Sequence, residues 1–153
     1  MERLKEALSA AGIAYKENEP LCAHCTFRIG GPADLFVLPK NEEQLCAAIR
    51  LAKEAGVRSY LLGNGSNILF EDAGYRGAVI NVSAMKSGIG VIENISFPGK
   101  DPALTYDAVV VGAGQMLSSL CMAALENSLT GLEFAYGIPG TVGGAVYMNA
   151  GAY

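Results

Sequence analysis

The amino-acid sequence predicts a fold of the α/β or α+β class, because strand-like and helix-like segments alternate along it. The chain has 153 residues, of which 51% are apolar, so it is long and apolar enough to bury a core. It also contains 19 glycines without a collagen period, well above average usage. This glycine content indicates a backbone that bends sharply or approaches another group closely.

Three helices are predicted from apolar spacing and capping residues. The first carries apolar residues at helical spacing and ends before Gly12, which suits a C-terminal cap. The second spans 42–55, because Asn41 and Gln44 have the spacing of a capping box. The third is indicated by an apolar face in the second half of the chain, formed by Leu117, Leu120, Cys121, Ala124 and Leu125.

Strands are predicted where short apolar runs are bounded by turn residues. The predicted strands span 35–38, 57–62, 68–70, 78–82 and 108–111. The looser stretch 86–106 is rich in Gly, Ser, Pro and polar residues and carries no recognisable motif. We therefore expect two lobes, residues 1–84 and 85–153.

Charge and hydropathy exclude several classes of function. The 15 acidic and 11 basic side chains give a net charge of −4, which argues against nucleic-acid binding. No apolar run approaches the roughly 20 residues of a membrane helix, and the charged start lacks the apolar segment of a signal peptide. With four cysteines in such a chain, we expect a soluble protein of the reducing cytoplasm.

A first glycine-rich element, termed the 63–67 loop, directly follows a predicted strand. Its glycines let successive N–H groups point at a phosphate, and its polar side chains add hydrogen-bond donors. The residues that follow are typical of a strand rather than a helix, so the loop is not a GxGxxG fingerprint. It is not a Walker A loop either, because no Gly-Lys-Ser/Thr follows. An Asn-Gly hairpin turn is the alternative. The candidate binding residues are Gly63, Asn64, Gly65, Ser66 and Asn67.

A second glycine-rich element, termed the 137–144 loop, precedes a run of small residues. Thr141 suits a helix N-cap, and the free N–H groups of the following helix would favour an anion. A tight turn with close helix-sheet packing is the alternative, but it explains the number of glycines less readily. The candidate binding residues are Gly137, Ile138, Pro139, Gly140, Thr141, Gly143 and Gly144.

The segment 22–25, with sequence CAHC, has two cysteines at the spacing of half a zinc site. Cys46 and Cys121 each lie on a predicted helical face without a neighbouring cysteine, so a four-ligand site is not indicated. A redox CxxC would begin a helix, whereas the residues that follow read as loop or strand. We therefore interpret the cysteines as ordinary buried residues, and His24, the only histidine, as a structural hydrogen-bond partner.

Five segments of the chain occur in an order and spacing typical of one enzyme family. They are residues 26–34 (TFRIGGPAD), 62–67 (LGNGSN), 131–134 (GLEF), 137–144 (GIPGTVGG) and 149–153 (NAGAY). Together they resemble the UDP-N-acetylenolpyruvoylglucosamine reductases, the MurB family of peptidoglycan precursor synthesis. Their joint occurrence is far more specific than any one segment, although Cys25 stands where the family more often has Ser or Thr.

The resemblance implies an α+β FAD-binding fold of the vanillyl-alcohol oxidase/PCMH type, with noncovalent FAD between two α+β lobes. In the family, the segment matching the 63–67 loop cradles the FAD pyrophosphate, and that matching the 137–144 loop lines the other side of the cofactor. By the same match, Gly151 approaches the flavin, and Tyr153 lies close to flavin and substrate. Arg28 is assigned a loop-shaping role rather than a contact.

The activity implied is reduction of the enolpyruvyl group of UDP-N-acetylglucosamine enolpyruvate to UDP-N-acetylmuramate, with NADPH as the reductant of FAD. The family's catalytic arginine, serine and glutamate have no matching positions in residues 1–153. We therefore expect an FAD-binding part that needs no metal and is inactive alone. An FAD-dependent oxidase of the same fold and a non-catalytic nucleotide-binding module are the alternatives.

Overall fold

The computed structural model describes residues 1–85, 88–95 and 106–151. The chain divides into two compact units, Met1–Met85 (unit 1) and Lys86–Tyr153 (unit 2). Within the described ranges, no helix has both the length and the apolar character needed to cross a membrane.

Unit 1 is built on a four-stranded sheet. In chain order its elements are α1 (Glu2–Ala10), β1 (Ala14–Pro20), a short 3₁₀ helix (Leu21–His24), β2 (Pro32–Leu38), α2 (Glu42–Glu54), β3 (Ser59–Leu62) and β4 (Tyr75–Asn81). The strand order is β1-β2-β4-β3. β1 pairs antiparallel with β2, whereas β2 and β3 both pair parallel with β4. The strands β3 and β4 therefore end at the same edge, where Leu62 is paired with Asn81.

One core of unit 1 is formed between the sheet and the helices α1 and α2. Alternate residues of β2 and β4 face the helices, because neighbouring side chains on a strand point to opposite faces. Apolar burial of this kind is the main force that holds the layers together. This core consists of Leu4, Leu8, Ile13, Leu35, Val37, Ala48, Ala52, Ala78 and Ile80.

A second core of unit 1 involves the 3₁₀ helix and the segment after β3. Phe36 and Val79 belong to it, between strand neighbours that belong to the first core. Leu62, the last residue of β3, is also part of it, so burial anchors the start of the 63–67 loop. This core consists of Leu21, Cys25, Ala33, Phe36, Leu62, Phe70 and Val79.

The two predicted helices of unit 1 are confirmed together with their caps. The Gln44 N–H donates to Asn41 Oδ1 at 2.9 Å, and Gln44 Oε1 accepts from the Lys40 N–H at 2.9 Å. The pair therefore satisfies two donors at the start of α2, as a capping box does. After α1, Gly12 adopts a φ of +64°, the left-handed conformation typical of a C-terminal cap.

The strand prediction is wrong at 68–70, where the structure has an irregular segment. Leu69 is 64% exposed, whereas Phe70 is buried in the second core. This alternation of exposed and buried residues imitates a strand. The residues are instead held by side-chain burial, without a partner strand in the sheet.

The strand β1 was not predicted, and it is an edge strand with mostly exposed residues. Its composition, AYKENEP, is polar because an edge strand needs little apolar surface. The other predicted strands of unit 1, 35–38, 57–62 and 78–82, overlap β2, β3 and β4.

Unit 2 contains β5 (Gly90–Ile95), β6 (Tyr106–Val110), α3 (Leu117–Glu126), a 3₁₀ turn (Glu133–Ala135) and α4 (Val142–Tyr147). β5 and β6 pair antiparallel. β5 lies in the stretch 86–106, for which the sequence predicted no element. The predicted strand 108–111 overlaps β6, and the third predicted helix is confirmed as α3.

The core of unit 2 lies on one side of α3. Leu117, Leu120, Cys121 and Ala124 are buried, as the helical spacing predicts, but Leu125 is 69% exposed. Placing Leu125 on the apolar face was wrong, because at 3.6 residues per turn it lies further around the helix than Cys121, outside the buried arc. Ala135 completes the buried cluster.

We expect Asn41→Ala to lower the free energy of unfolding by about 1 kcal/mol, because it removes the acceptor for the Gln44 N–H at the start of α2. Urea denaturation measures this change. Asn41→Asp keeps the acceptor and is the control, with stability close to wild type. An Asn41→Ala protein as stable as wild type would contradict the assigned cap.

Candidate functional site

The 63–67 loop follows β3 and is fastened to unit 1 through its carbonyl groups. The Gly63 carbonyl accepts from Asn81 Nδ2 at 3.0 Å. The Gly65 carbonyl accepts from the Thr26 N–H at 3.1 Å, and the Ser66 carbonyl accepts from Thr26 Oγ1 at 3.4 Å. Three carbonyls of the loop are therefore directed toward the rest of unit 1.

The N–H groups of the same loop are oriented differently. In a trans peptide, the carbonyl and the N–H that follows it point in opposite directions. Because the Gly65 and Ser66 carbonyls face Thr26, the N–H groups of Ser66 and Asn67 point away from it. No residue in the described part of the chain accepts a hydrogen bond from an N–H of the 63–67 loop. This arrangement suits an anion such as a phosphate.

Gly65 is required by contacts within the protein. It has a φ of +65°, and a Cβ at this position would collide with the His24 carbonyl oxygen and lie 2.8 Å from Cys25 Cα. The sequence-based hypothesis that its missing Cβ admits a phosphate therefore needs correction. The missing Cβ lets the loop pack directly against the backbone of residues 24–25.

His24 is held by two contacts of its side chain. Its ring stacks on Phe36 with centroids 4.0 Å apart, and its Nε2 lies 2.8 Å from Glu19 Oε1. Glu19 also pairs with Lys16 Nζ at 2.6 Å. The pKa of the Glu19 carboxyl is lowered mainly by the hydrogen bond from Lys16 and, second, by the hydrogen bond from His24. The interpretation of His24 as a structural hydrogen-bond partner is confirmed.

The two cysteines of the 22–25 segment lie in and just after the 3₁₀ helix. Cys25 is buried, and its thiol donates to the Ile29 carbonyl at 3.3 Å. Cys22 is only half-buried and Cys46 is exposed, so the interpretation of the cysteines as buried residues is wrong at these two positions. Among the residues that the structure describes, no cluster of three His, Cys, Asp or Glu could hold a metal ion. Arg28, in the loop that follows, adopts a positive φ of +55°.

The 137–144 loop leads into α4, and Thr141 is its N-cap as predicted. The hypothesis of free N–H groups at this helix start is wrong, because the first three N–H groups of α4 donate hydrogen bonds to acceptors within the protein. The acceptors of Val142, Gly143 and Gly144 are the Gln115 carbonyl at 2.8 Å, the Ala113 carbonyl at 2.9 Å and Thr141 Oγ1 at 3.3 Å. This helix start therefore does not provide an anion site.

The remaining candidate residues of unit 2 differ in exposure. Gly140 is buried with a φ of +137°, and its carbonyl accepts from the Leu117 N–H at 3.0 Å. Gly137 and Pro139 are exposed, whereas Ile138 packs against the core of unit 2. Gly151 is exposed as well. Tyr153 lies outside the described residues.

A cavity of about 660 Å³ lies in unit 2 beside α3, and the sequence did not predict it. Helical spacing identifies the polar side of α3, but it does not show which other segments of the chain lie opposite that side and complete a cavity. The cavity is lined by Ile89, Val91, Gln115, Ser118, Ser119, Met122, Ala123, Glu126, Asn127 and Tyr136.

Residues 33–153 match a family model described as an FAD binding domain. The chain belongs to the FAD binding domain family. The match contains both glycine-rich loops, which lie in different units of this FAD binding domain.

Comparison with known proteins confirms the resemblance seen in the sequence. The FAD binding domain is 41% identical over 158 residues to a UDP-N-acetylenolpyruvoylglucosamine reductase of Clostridium perfringens, with 100% of this chain and 47% of the relative covered. The chain thus spans about half the length of the curated relatives it matches.

Solved structures confirm the α+β FAD-binding fold of the vanillyl-alcohol oxidase/PCMH type. The reductase of Thermus caldophilus aligns with a TM-score of 0.58 and 29% identity, covering 92% of this chain and 43% of that one. A VAO-type flavoprotein of Myceliophthora thermophila, MtVAO713, aligns with a TM-score of 0.54, covering 67% of this chain and 18% of that one. The identity to MtVAO713 is 17%, so this second alignment shows the fold alone.

We expect Gly65→Ala to destabilise this FAD binding domain by about 3 kcal/mol, even without ligand, because the new Cβ collides with the backbone of residue 24. Urea denaturation of the ligand-free protein measures the effect.

Gly56→Ala is the matched control for that measurement. Gly56 has a φ of +66°, but a Cβ there meets nothing within 4 Å. It should therefore cost only the strain of the left-handed conformation, about 1 kcal/mol. Equal costs at both positions would show that the contact of the loop with residues 24–25 is not tight.

Proposed function

We propose that the chain is the amino-terminal FAD-binding part of an NADPH-dependent UDP-N-acetylenolpyruvoylglucosamine reductase. Such an enzyme reduces the enolpyruvyl group of UDP-N-acetylglucosamine enolpyruvate to UDP-N-acetylmuramate for peptidoglycan synthesis. The observation that carries the proposal is the 63–67 loop, whose N–H groups have no acceptor among the described residues. The name of the similar Clostridium perfringens protein supports the reaction.

The 63–67 loop fits the pyrophosphate of FAD. Its N–H groups supply donors to an anion, while three of its carbonyls, which would repel one, are occupied by Thr26 and Asn81. Asn64, Ser66 and Asn67 would add side-chain donors. We assign pyrophosphate binding to the loop as a whole: Gly63, Asn64, Gly65, Ser66 and Asn67.

We assign a different contribution to the 137–144 loop. Because its helix-start N–H groups are used internally, it would line the cofactor through shape rather than through anion binding. Gly137 has open space where a Cβ would lie, so a flat ring could approach its backbone. We assign cofactor lining to Gly137, Ile138, Pro139, Gly140, Thr141, Gly143, Gly144 and Gly151, and substrate contact to Tyr153.

The role of this chain in the reaction is binding and orientation. When bound, FAD would supply the hydride-transfer chemistry, with NADPH as the source of hydride. We assign no proton donor to residues 1–153, so that the lobes 1–84 and 85–153 would hold the cofactor without completing the catalytic site. The four cysteines are free thiols, a state that persists in a reducing compartment, and we propose a cytoplasmic location.

The complete gene product that contains this chain should carry noncovalent FAD. Purified protein should show flavin absorbance, and denaturation followed by filtration should release all of the flavin. A colourless preparation that cannot be reconstituted with FAD would contradict the proposed function.

A carboxylate introduced into the 63–67 loop should weaken FAD binding. Ser66→Glu places a negative charge beside the proposed pyrophosphate position and should raise the dissociation constant of FAD roughly tenfold or more. Ser9→Glu introduces the same charge on α1 and should leave that constant unchanged. The loop would lose its assigned role if both variants bound FAD equally well, as measured by flavin fluorescence titration.

NADPH should bleach the flavin absorbance of the complete gene product under anaerobic conditions, and UDP-N-acetylglucosamine enolpyruvate should restore it. Residues 1–153 alone should show no turnover of this substrate. Flavin that is restored by oxygen but not by the sugar nucleotide would instead indicate an oxidase.

A further inference from the structure

Asn81, the last residue of β4, is a polar residue placed in a buried position. Only 7% of the surface of this residue is exposed. Asn81 Nδ2 donates to the Gly63 carbonyl at 3.0 Å, and Asn81 Oδ1 accepts from the Ser83 N–H at 3.1 Å. Both ends of the amide are therefore hydrogen-bonded, so its orientation is defined.

The contact with Gly63 determines where the next N–H group points. The described residues contain no cis peptide bond, so the peptide between residues 63 and 64 is trans. In a trans peptide the N–H points opposite to the carbonyl. Since the Gly63 carbonyl points at Asn81, the Asn64 N–H points away from Asn81.

We propose that Asn81 is a positioning residue for cofactor binding: it holds the Gly63 carbonyl so that the Asn64 N–H faces the cofactor pyrophosphate. This inference rests on the proposed function of the 63–67 loop. Asn81 itself touches no cofactor atom in this scheme and acts through the peptide after Gly63. Thr26 holds the two later peptides of the loop in the same way.

An amide is the side chain that this position needs. Asn81 must donate to one carbonyl and accept from a backbone N–H, and a carboxylate can only accept. Ser83 Oγ lies 3.0 Å from the Gly63 carbonyl but 2.7 Å from Asn81 Oδ1. Because a hydroxyl carries one hydrogen, Ser83 cannot serve both acceptors, and the shorter contact orients the amide.

The test measures the dissociation constant of FAD by fluorescence titration of the complete gene product, with each variant confirmed as folded by circular dichroism. At about pH 8, Asn81→Asp should bind FAD roughly tenfold more weakly than wild type, because its carboxylate cannot donate to Gly63. Burial beside the Gly63 carbonyl should raise the pKa of the introduced carboxyl above its usual value of about 3.9, so at about pH 5 a protonated fraction regains a donor and the deficit relative to wild type should shrink.

Two further variants separate positioning from charge and from general stability. Asn81→Ala has neither donor nor charge and should bind weakly at both pH values. Gln44→Glu removes a similar amide bond to a backbone carbonyl, from Gln44 Nε2 to Gly12 at 3.2 Å, and should leave FAD affinity unchanged. If Asn81 mattered only for stability, folded Asn81 variants would bind FAD as tightly as wild type, which would overturn the inference.

A milder variant covers the case in which Asn81 variants do not fold. Ser83→Ala removes the hydroxyl that orients the amide and should weaken FAD binding about threefold, whereas unchanged binding would overturn the inference. Wild-type protein that cannot bind FAD would overturn the proposed function itself. Wild-type binding with unaffected variants would overturn only the role of Asn81.

Discussion

The parallel pairing of β3 with β4 is the constraint on which the candidate site depends. Parallel strands end at the same edge of a sheet, and here that edge brings Leu62 beside Asn81. The chain that leaves β3 therefore meets the Asn81 amide at its first residue, Gly63. The segment after the 3₁₀ helix holds the remainder of the loop through Thr26. The loop is thus anchored by one strand and by one distant turn.

The glycines of the site serve protein packing as well as access. Gly65 allows contact with the backbone of residues 24–25, and a Cβ at Gly143 would lie 2.8 Å from Ala113 Cβ. Both glycines let two backbone segments approach each other directly. Gly137 is different, because a Cβ there would meet nothing within 4 Å. High glycine content therefore identifies close approach, while the structure identifies the neighbour in each case.

The two glycine-rich loops have opposite electrostatic character despite their similar composition. In the 63–67 loop three carbonyls are engaged by the protein, and the N–H groups have no acceptor among the described residues. At the end of the 137–144 loop, three successive N–H groups are engaged by the turn before α3 and by the Thr141 cap. A negatively charged group thus suits the first loop, whereas the second offers chiefly a surface with few side-chain atoms.

The features that depend on residues a few positions apart could be predicted from the sequence alone. The Asn41 cap, the Gly12 C-terminal cap and the buried face of α3 follow from local spacing, and the five motif segments indicated the family. Tertiary contacts determine the polar edge strand β1, the irregular course of 68–70 and the directions of three peptides in the 63–67 loop. Those features depend on partners that are distant in the sequence, such as Thr26 for Gly65 and Asn81 for Gly63. No local sequence pattern shows which carbonyl will accept a hydrogen bond from such a partner.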